Sequence, residues 1–207
     1  MNVNDLAAKA GDACYIFLTV NFLWGLYCVI STMRRLKQLG FRTQADQTTF
    51  LTTISQQIKQ REYDQAMQAC VDDQRALPQL ALASLQNRTL SYEQIRQLLG
   101  EILQRDVIGD LEYRLSWIAT SIKNGPLLGL FGTVLGMTAA FGRIGQGEKV
   151  EPAQIADEIA VALICTAMGL ATAIPFGYFL ALINIRLRQL QDALGSALIR
   201  FLENFRH

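Results

Sequence analysis

The sequence has almost no histidine: the single one, His207, is the last residue of 207. That scarcity excludes Ser–His–Asp and Cys–His catalysis and any histidine-based metal centre. Its four cysteines, Cys14, Cys28, Cys70 and Cys165, show neither CxxC nor metal-ligand spacing, and three of them fall in hydrophobic stretches, so they read as small apolar packing residues. No cofactor is implied. Net charge is also lacking: the formal value is +1, and no basic patch with interleaved aromatics appears, so there is no sign of a nucleic-acid partner. The glycine-rich stretch "GPLLGLFGTVLGMTAAF" (125–141) is not followed by the lysine and Ser/Thr pair that a phosphate-binding loop needs. With no nucleophile–base pair and no metal cluster, the chain does not read as a membrane-anchored enzyme.

Hydrophobic residues, in contrast, make up 51% of the chain. Residues 13–33, 124–142 and 159–185 carry no formal charge over 21, 19 and 27 positions, each enough to cross about 30 Å of hydrocarbon. The first run follows an acidic, charge-mixed leader (Asp5, Lys9, Asp12) and lacks an A-x-A cleavage site, so it reads as a retained span. Arg34, Arg35 and Lys37 follow the first run, and Arg186 and Arg188 follow the third. The positive-inside rule therefore puts those ends in the cytoplasm. The expectation is an all-α membrane protein with three transmembrane helices, long cytoplasmic helical extensions and the N-terminus outside. Its segments are an outer stretch 1–12, span 13–33, a cytoplasmic helical region 34–123, span 124–142, an outer loop 143–158, span 159–185 and a cytoplasmic tail 186–207.

Within the cytoplasmic region, "TFLTTISQQIKQ" and "EYDQAMQACVDD" are helical patterns broken near Arg61, and Pro78 marks a further turn, which together suggest a small helical hairpin. "SYEQ" then offers a capping box, Ser91 with Gln94. From there Ile95, Leu98, Ile102, Val107 or Ile108, Leu111, Leu115, Ile118 and Ile122 recur at helical spacing, predicting one long helix that enters the second span. Leu187, Leu190, Leu194, Leu198, Phe201 and Phe205 repeat the pattern in the tail, and the two extensions are expected to pack as a stalk.

Gly125, Gly129, Gly132 and Gly136 lie on one face of the second span, while Leu127, Leu130, Phe131, Val134 and Phe141 lie on the other. A helix-interior glycine costs about 1 kcal/mol relative to alanine. In lipid that cost is offset where small residues let helices approach closely and bulky ones meet acyl chains. Ala162, Thr166, Gly169, Ala173 and Gly177 form a second small-residue stripe in the third span, so the two helices should face each other or a common axis. Thr133 and Thr166 sit near mid-span beside these stripes. A lone intramembrane threonine commonly bonds back to its own helix, but two at similar depth suggest a polar pathway. Pro175 leaves a carbonyl free inside the membrane, which calls for protein or water nearby.

"GPLLGLFGTVLGMTAAF" followed by "ALICTAMGLATAIP" resembles the two signature spans of the MotA/TolQ/ExbB proton channel family, and the three-span topology resembles its ExbB/TolQ branch. The resemblance implies the scaffold and pore subunit of a proton-driven motor in the bacterial inner membrane. It implies a pentamer enclosing single-span ExbD/TolR-like subunits that carry a transmembrane aspartate, with a TonB/TolA-like protein as a further partner. It also implies that Thr133 and Thr166 match pore-lining threonines and that Pro126 and Pro175 match prolines shaping those helices. Many members have a glutamate five residues before the second threonine; here that position is Val161, and Glu158, one turn earlier, is a candidate displaced acid at the outer mouth. Its alternative is an ordinary carboxylate favoured by a helix N-terminus. A membrane scaffold without ion flux remains open, as does a stator for motility or defence.

Overall fold

The computed structural model describes residues 3–41, 43–145 and 151–202, with side chains from residue 13 onward. Every regular element among them is helical: α1 (Val3–Leu39), α2 (Gln44–Lys59), α3 (Tyr63–Val71), α4 (Ala76–Gln86), α5 (Tyr92–Ile102), a π-helical segment (Leu103–Ile108), α6 (Gly109–Gly145) and α7 (Pro152–Leu202). Three helical stretches, Ala13–Leu39, Tyr92–Gly145 and Pro152–Leu202, are long and apolar enough to cross a membrane. Phe205, His207 and the centre of the connection expected at 143–158 lie outside the described residues. The flanks of that connection are helical, since α6 runs to Gly145 and α7 begins at Pro152.

The chain forms two compact units. The first comprises Met1–Ile30 and Leu115–Ala181. Here α1 presents Cys14, Leu18, Gly25 and Cys28 inward at intervals of four, seven and three residues, one face of a helix, while Ile16, Phe17, Val20 and Leu23 stay exposed. A helix that buries a small-residue stripe and exposes its large aliphatic residues has the polarity of a membrane helix, not of a soluble one. Gly25 gives room to the Phe176 ring on α7: a Cβ there would stand 3.0 Å from Cδ2 of that ring, with another ring carbon closer still, and the ring would have to move. Phe22 stacks on the same ring at 5.7 Å between centroids. The bulky α6 residues Leu127, Leu130, Phe131, Val134 and Phe141 are all more than half exposed.

The second unit comprises Ser31–Arg114 and Leu182–His207. The break expected near Arg61 separates α2 from α3, and Arg61 itself has φ of 63°, the left-handed conformation that ends the helix. The turn expected at Pro78 lies earlier, before Ala76. Pro78 is the third residue of α4, where backbone N–H groups have no intrahelical acceptor, so a missing one costs nothing. Ser91 caps α5 as expected: its hydroxyl accepts from Gln94 N and its own N–H donates to Gln94 Oε1 at 3.0 Å. Leu80, Ile95, Leu99, Leu198 and Leu202 form the core of this unit, so the inward residue of α5 is Leu99, with Leu98 only half-buried. Cys70 is fully buried on α3, and burial together with the charge of Asp73 pushes its thiol up to about 11, leaving it protonated and inert at neutral pH. Where α1 and α6 meet in this unit, Asp110 accepts from Arg114 at 3.1 Å and lies 3.5 Å from Arg35, while Arg114 also donates to Ser31 Oγ at 2.9 Å.

Candidate functional site

The glycines of α6 meet α7 backbone to backbone. A Cβ on Gly129 would fall 2.7 Å from the Cys165 carbonyl oxygen and 2.8 Å from Thr166 Cα. One on Gly125 would fall 3.0 Å from the Gly169 carbonyl oxygen, and one on Gly136 would fall 2.7 Å from Ala162 Cβ. Gly132 faces the side chains of Cys165 and Cys14 at 3.1 and 3.4 Å, so α1 reaches the same seam. Real Cβ atoms do not come this close, so at Gly129 and Gly136 a side chain would force the helices to shift, while at Gly125 and Gly132 the neighbouring atoms would have to give by a few tenths of an ångström. Ala162, Gly169 and Ala173 are buried along α7. Gly177 differs from the rest of its stripe, because a Cβ there meets nothing within 4 Å.

This closeness brings the two threonines together. Thr166 Oγ1 lies 3.5 Å from Thr133 Oγ1, the outer limit of a hydrogen bond, and Thr133 Oγ1 donates to the Leu130 carbonyl at 2.7 Å. The result is a short relay from α7 hydroxyl to α6 hydroxyl to α6 backbone. Thr133 is 7% exposed and Thr166 is half-buried. The back-bond of Thr133 engages its only proton and leaves its oxygen as the acceptor, so the pair can orient a hydrogen bond but holds no ionisable group.

Glu158 lies on the second turn of α7, two turns before Thr166, and is not free. Arg143, near the end of α6, donates to its Oε1 at 2.6 Å. Asp157 beside it is exposed. Val161 is 51% exposed, and its carbonyl accepts a hydrogen bond from the Tyr15 hydroxyl on α1 at 2.8 Å. Pro126 and Pro175 both lie inside continuous helix, in α6 and α7.

Two contributors were not anticipated from sequence. Arg143 was visible only as the charge closing an uncharged run; its partnership with Glu158 depends on how α6 and α7 pair. Asn21 donates through Nδ2 to the Ser121 carbonyl at 3.1 Å. It is the one amide side chain in the uncharged run 13–33, and a polar residue in such a run was the available signal. Among the described residues no cluster of three or more metal-ligating side chains occurs.

The sequence profile of the MotA/TolQ/ExbB proton channel family matches residues 72–195. Among curated proteins, the chain is similar to the biopolymer transport protein ExbB of Neisseria gonorrhoeae, 38% identical over 82 residues that cover 40% of this chain and 35% of that protein. It is 34% identical over 94 residues to the Tol-Pal system protein TolQ of Haemophilus influenzae, covering 45% of this chain and 41% of the relative. It is 46% identical over 66 residues to ExbB of Aquifex aeolicus, covering 32% and 45%. The chain thus spans less than half the length of each of these relatives.

Proposed function

Because the chain belongs to the MotA/TolQ/ExbB proton channel family, on its ExbB/TolQ-like side, we propose that it is the scaffold and pore subunit of a proton-driven motor of the bacterial inner membrane. The observation that carries the proposal is the hydroxyl pair Thr133–Thr166, set where α6 and α7 are closest. In this reading spans 13–33, 124–142 and 159–185 cross the membrane with the N-terminus outside. Residues 34–123 and 186–207 are cytoplasmic, and 143–158 is the outer connection. The chain is not an enzyme. It assembles as a pentamer around single-span ExbD/TolR-like subunits, and it couples the proton-motive force to work on the cell envelope through a TonB/TolA-like protein.

Threonine hydroxyls do not ionise near pH 7, and the three uncharged runs hold no carboxylate, so the group that carries the proton across mid-membrane belongs to another subunit. The transmembrane aspartate of the partner is that group, and Thr133 and Thr166 from several copies orient it. Glu158 stands at the outer mouth with Arg143 as its counter-ion. A potential of 100 mV supplies roughly 2.3 kcal/mol per charge crossing, so substantial work takes several protons.

A scaffold without flux is the second reading, favoured by the bond from Thr133 back to Leu130, which is what a structurally mute threonine makes. Valine keeps the shape of threonine and removes the hydroxyl. In liposomes containing a pH-sensitive dye and the chain with its single-span partner, Thr133→Val with Thr166→Val should preserve the assembly and abolish specific proton flux. Wild-type flux in the double variant overturns the channel reading of these residues.

A further inference from the structure

Asn21 is an expensive residue where it stands. It is a polar amide inside the uncharged run 13–33 on α1, and an amide in hydrocarbon must find partners on a neighbouring helix. Its partner is specific: the Ser121 carbonyl of α6, at 3.1 Å. Ser121 is 2% exposed, so water does not compete for that carbonyl. The position matters because Pro126 lies just beyond it, inside α6. Proline has no N–H, so the Ile122 carbonyl four residues earlier loses its intrahelical donor, and the proline ring crowds that same turn. The Ser121 carbonyl, whose own helical donor is the Gly125 N–H, therefore stands one residue before the carbonyl that Pro126 leaves free, and Asn21 gives it a second donor. Gly125, whose absent side chain lets α7 approach at Gly169, also leaves the Asn21 amide in ordinary contact, 3.8 Å from where a Cβ would stand.

We infer that Asn21 is a positioning residue: its amide ties α1 to the Ser121 carbonyl, next to the Ile122 carbonyl that Pro126 leaves without a helical donor, and by holding the helix at that weakened point it sets the direction of the following two turns, which carry Gly129, Gly132 and Thr133. The bond is made from α1, which also reaches the α6 seam through Cys14 beside Gly132. A proline-weakened turn is where a helix bends most easily, and Thr133 lies seven residues beyond Pro126. Its hydroxyl meets Thr166 at a distance already at the limit of a hydrogen bond, so a small change in bend breaks the pair. An apolar residue at 21 would fill the same space beside α6 and leave the Ser121 carbonyl without this donor. The function given to the hydroxyl pair rests on the channel reading above; the bond from Asn21 does not.

Two measurements on the full chain separate these. Ser121–Ile122 is the only Ser–Ile step in the sequence, so carbonyl-13C serine with 15N-isoleucine singles out the Ser121 carbonyl by NMR in lipid nanodiscs. Asn21→Leu should shift that resonance upfield, as expected for a lost hydrogen bond, and Asn21→Gln, which keeps the amide one methylene farther out, should hold it near the wild-type position. In liposomes with the single-span partner, Asn21→Leu should lower proton flux roughly three- to tenfold, the span that corresponds to one interhelical hydrogen bond in a membrane, at unchanged oligomer size in detergent. Asn21→Gln should restore most of it. An unshifted Ser121 carbonyl in Asn21→Leu overturns the proposed bond. A shifted carbonyl with wild-type flux, when Thr133→Val still abolishes flux, overturns the positioning role and leaves the channel reading standing. Unchanged flux in Thr133→Val as well overturns the channel reading itself.

Discussion

At the scale of single residues, the informative groups are those whose partner is not in their own helix. Glu158 alone on α7 resembles any carboxylate near a helix start; joined to Arg143 at 2.6 Å it becomes a clasp between α6 and α7. The two side chains are 42% and 29% exposed, so solvent screens the pair and its worth is about 1 kcal/mol or less. Arg143→Glu or Glu158→Arg should lower the melting temperature of the purified protein slightly, and the double exchange should recover it. Proton flux should follow the same pattern if the pair acts as a clasp. Recovered stability without recovered flux in the double variant would instead show that the Glu158 carboxylate itself handles the proton. Thr133 teaches a related point, since its back-bond to Leu130 belongs to any threonine in a helix, and its nearness to Thr166 belongs only to this pairing.

At the scale of elements, the π-helical segment has a purpose that the hydrophobic pattern contains but does not announce. Leu99 and Leu111 are both buried, yet twelve α-helical residues would leave them roughly 120° apart around the helix. A π turn absorbs one residue, so the interval behaves as eleven and the two side chains return to within about 20° of one face. Gln104, Arg105 and Asp106, within the π-helical segment, are exposed, so the extra residue is taken up on the outer side. Deleting Arg105 should therefore convert the segment to ordinary α-helix and change stability by about 1 kcal/mol or less. Deleting Glu112, outside the segment, should rotate the buried stripe by about 100° and destabilise the protein by several times as much. Thermal melting of the two deletions in one detergent distinguishes them. The glycine seam is a second element-scale test. Gly129→Leu drives a side chain into the backbone of α7 and should destabilise the chain by about 1–3 kcal/mol of overpacking, whereas Gly177→Leu, where a Cβ meets nothing within 4 Å, should leave its stability near the wild-type value. Thermal melting in detergent reads both outcomes.

At the scale of the whole molecule, the distribution of charge governs what the chain can do by itself. Three long apolar helices carry hydroxyls and amides but no acid within their uncharged runs. In liposomes the chain alone should show little specific proton flux, and adding the single-span subunit proposed as its partner should create it. Exchanging the partner's transmembrane aspartate for asparagine should remove the flux again. Strong conduction by this chain alone, blocked by Glu158→Gln, would overturn the assignment of the carrier to the partner.

The sequence by itself determined which segments are helical and apolar, because charge-free length and three- to four-residue spacing are local properties. It placed the Ser91 cap and the break at Arg61 for the same reason. It misjudged Pro78, since a proline that ends one helix and a proline in the first turn of the next look alike until the preceding residues have a conformation. The small-residue stripes were legible as surfaces that something must approach, and only the tertiary structure decided what: Gly125 meets Gly169, Gly129 meets Cys165 and Thr166, and a Cβ on Gly177 would meet nothing within 4 Å among the described residues. Likewise Arg143 with Glu158 and Asn21 with Ser121 depend on how separate helices are rotated and offset against one another, and Leu99 comes into line with Leu111 only through the π turn between them. Periodicity defines the face of a helix, but not the depth or partner at which that face is buried.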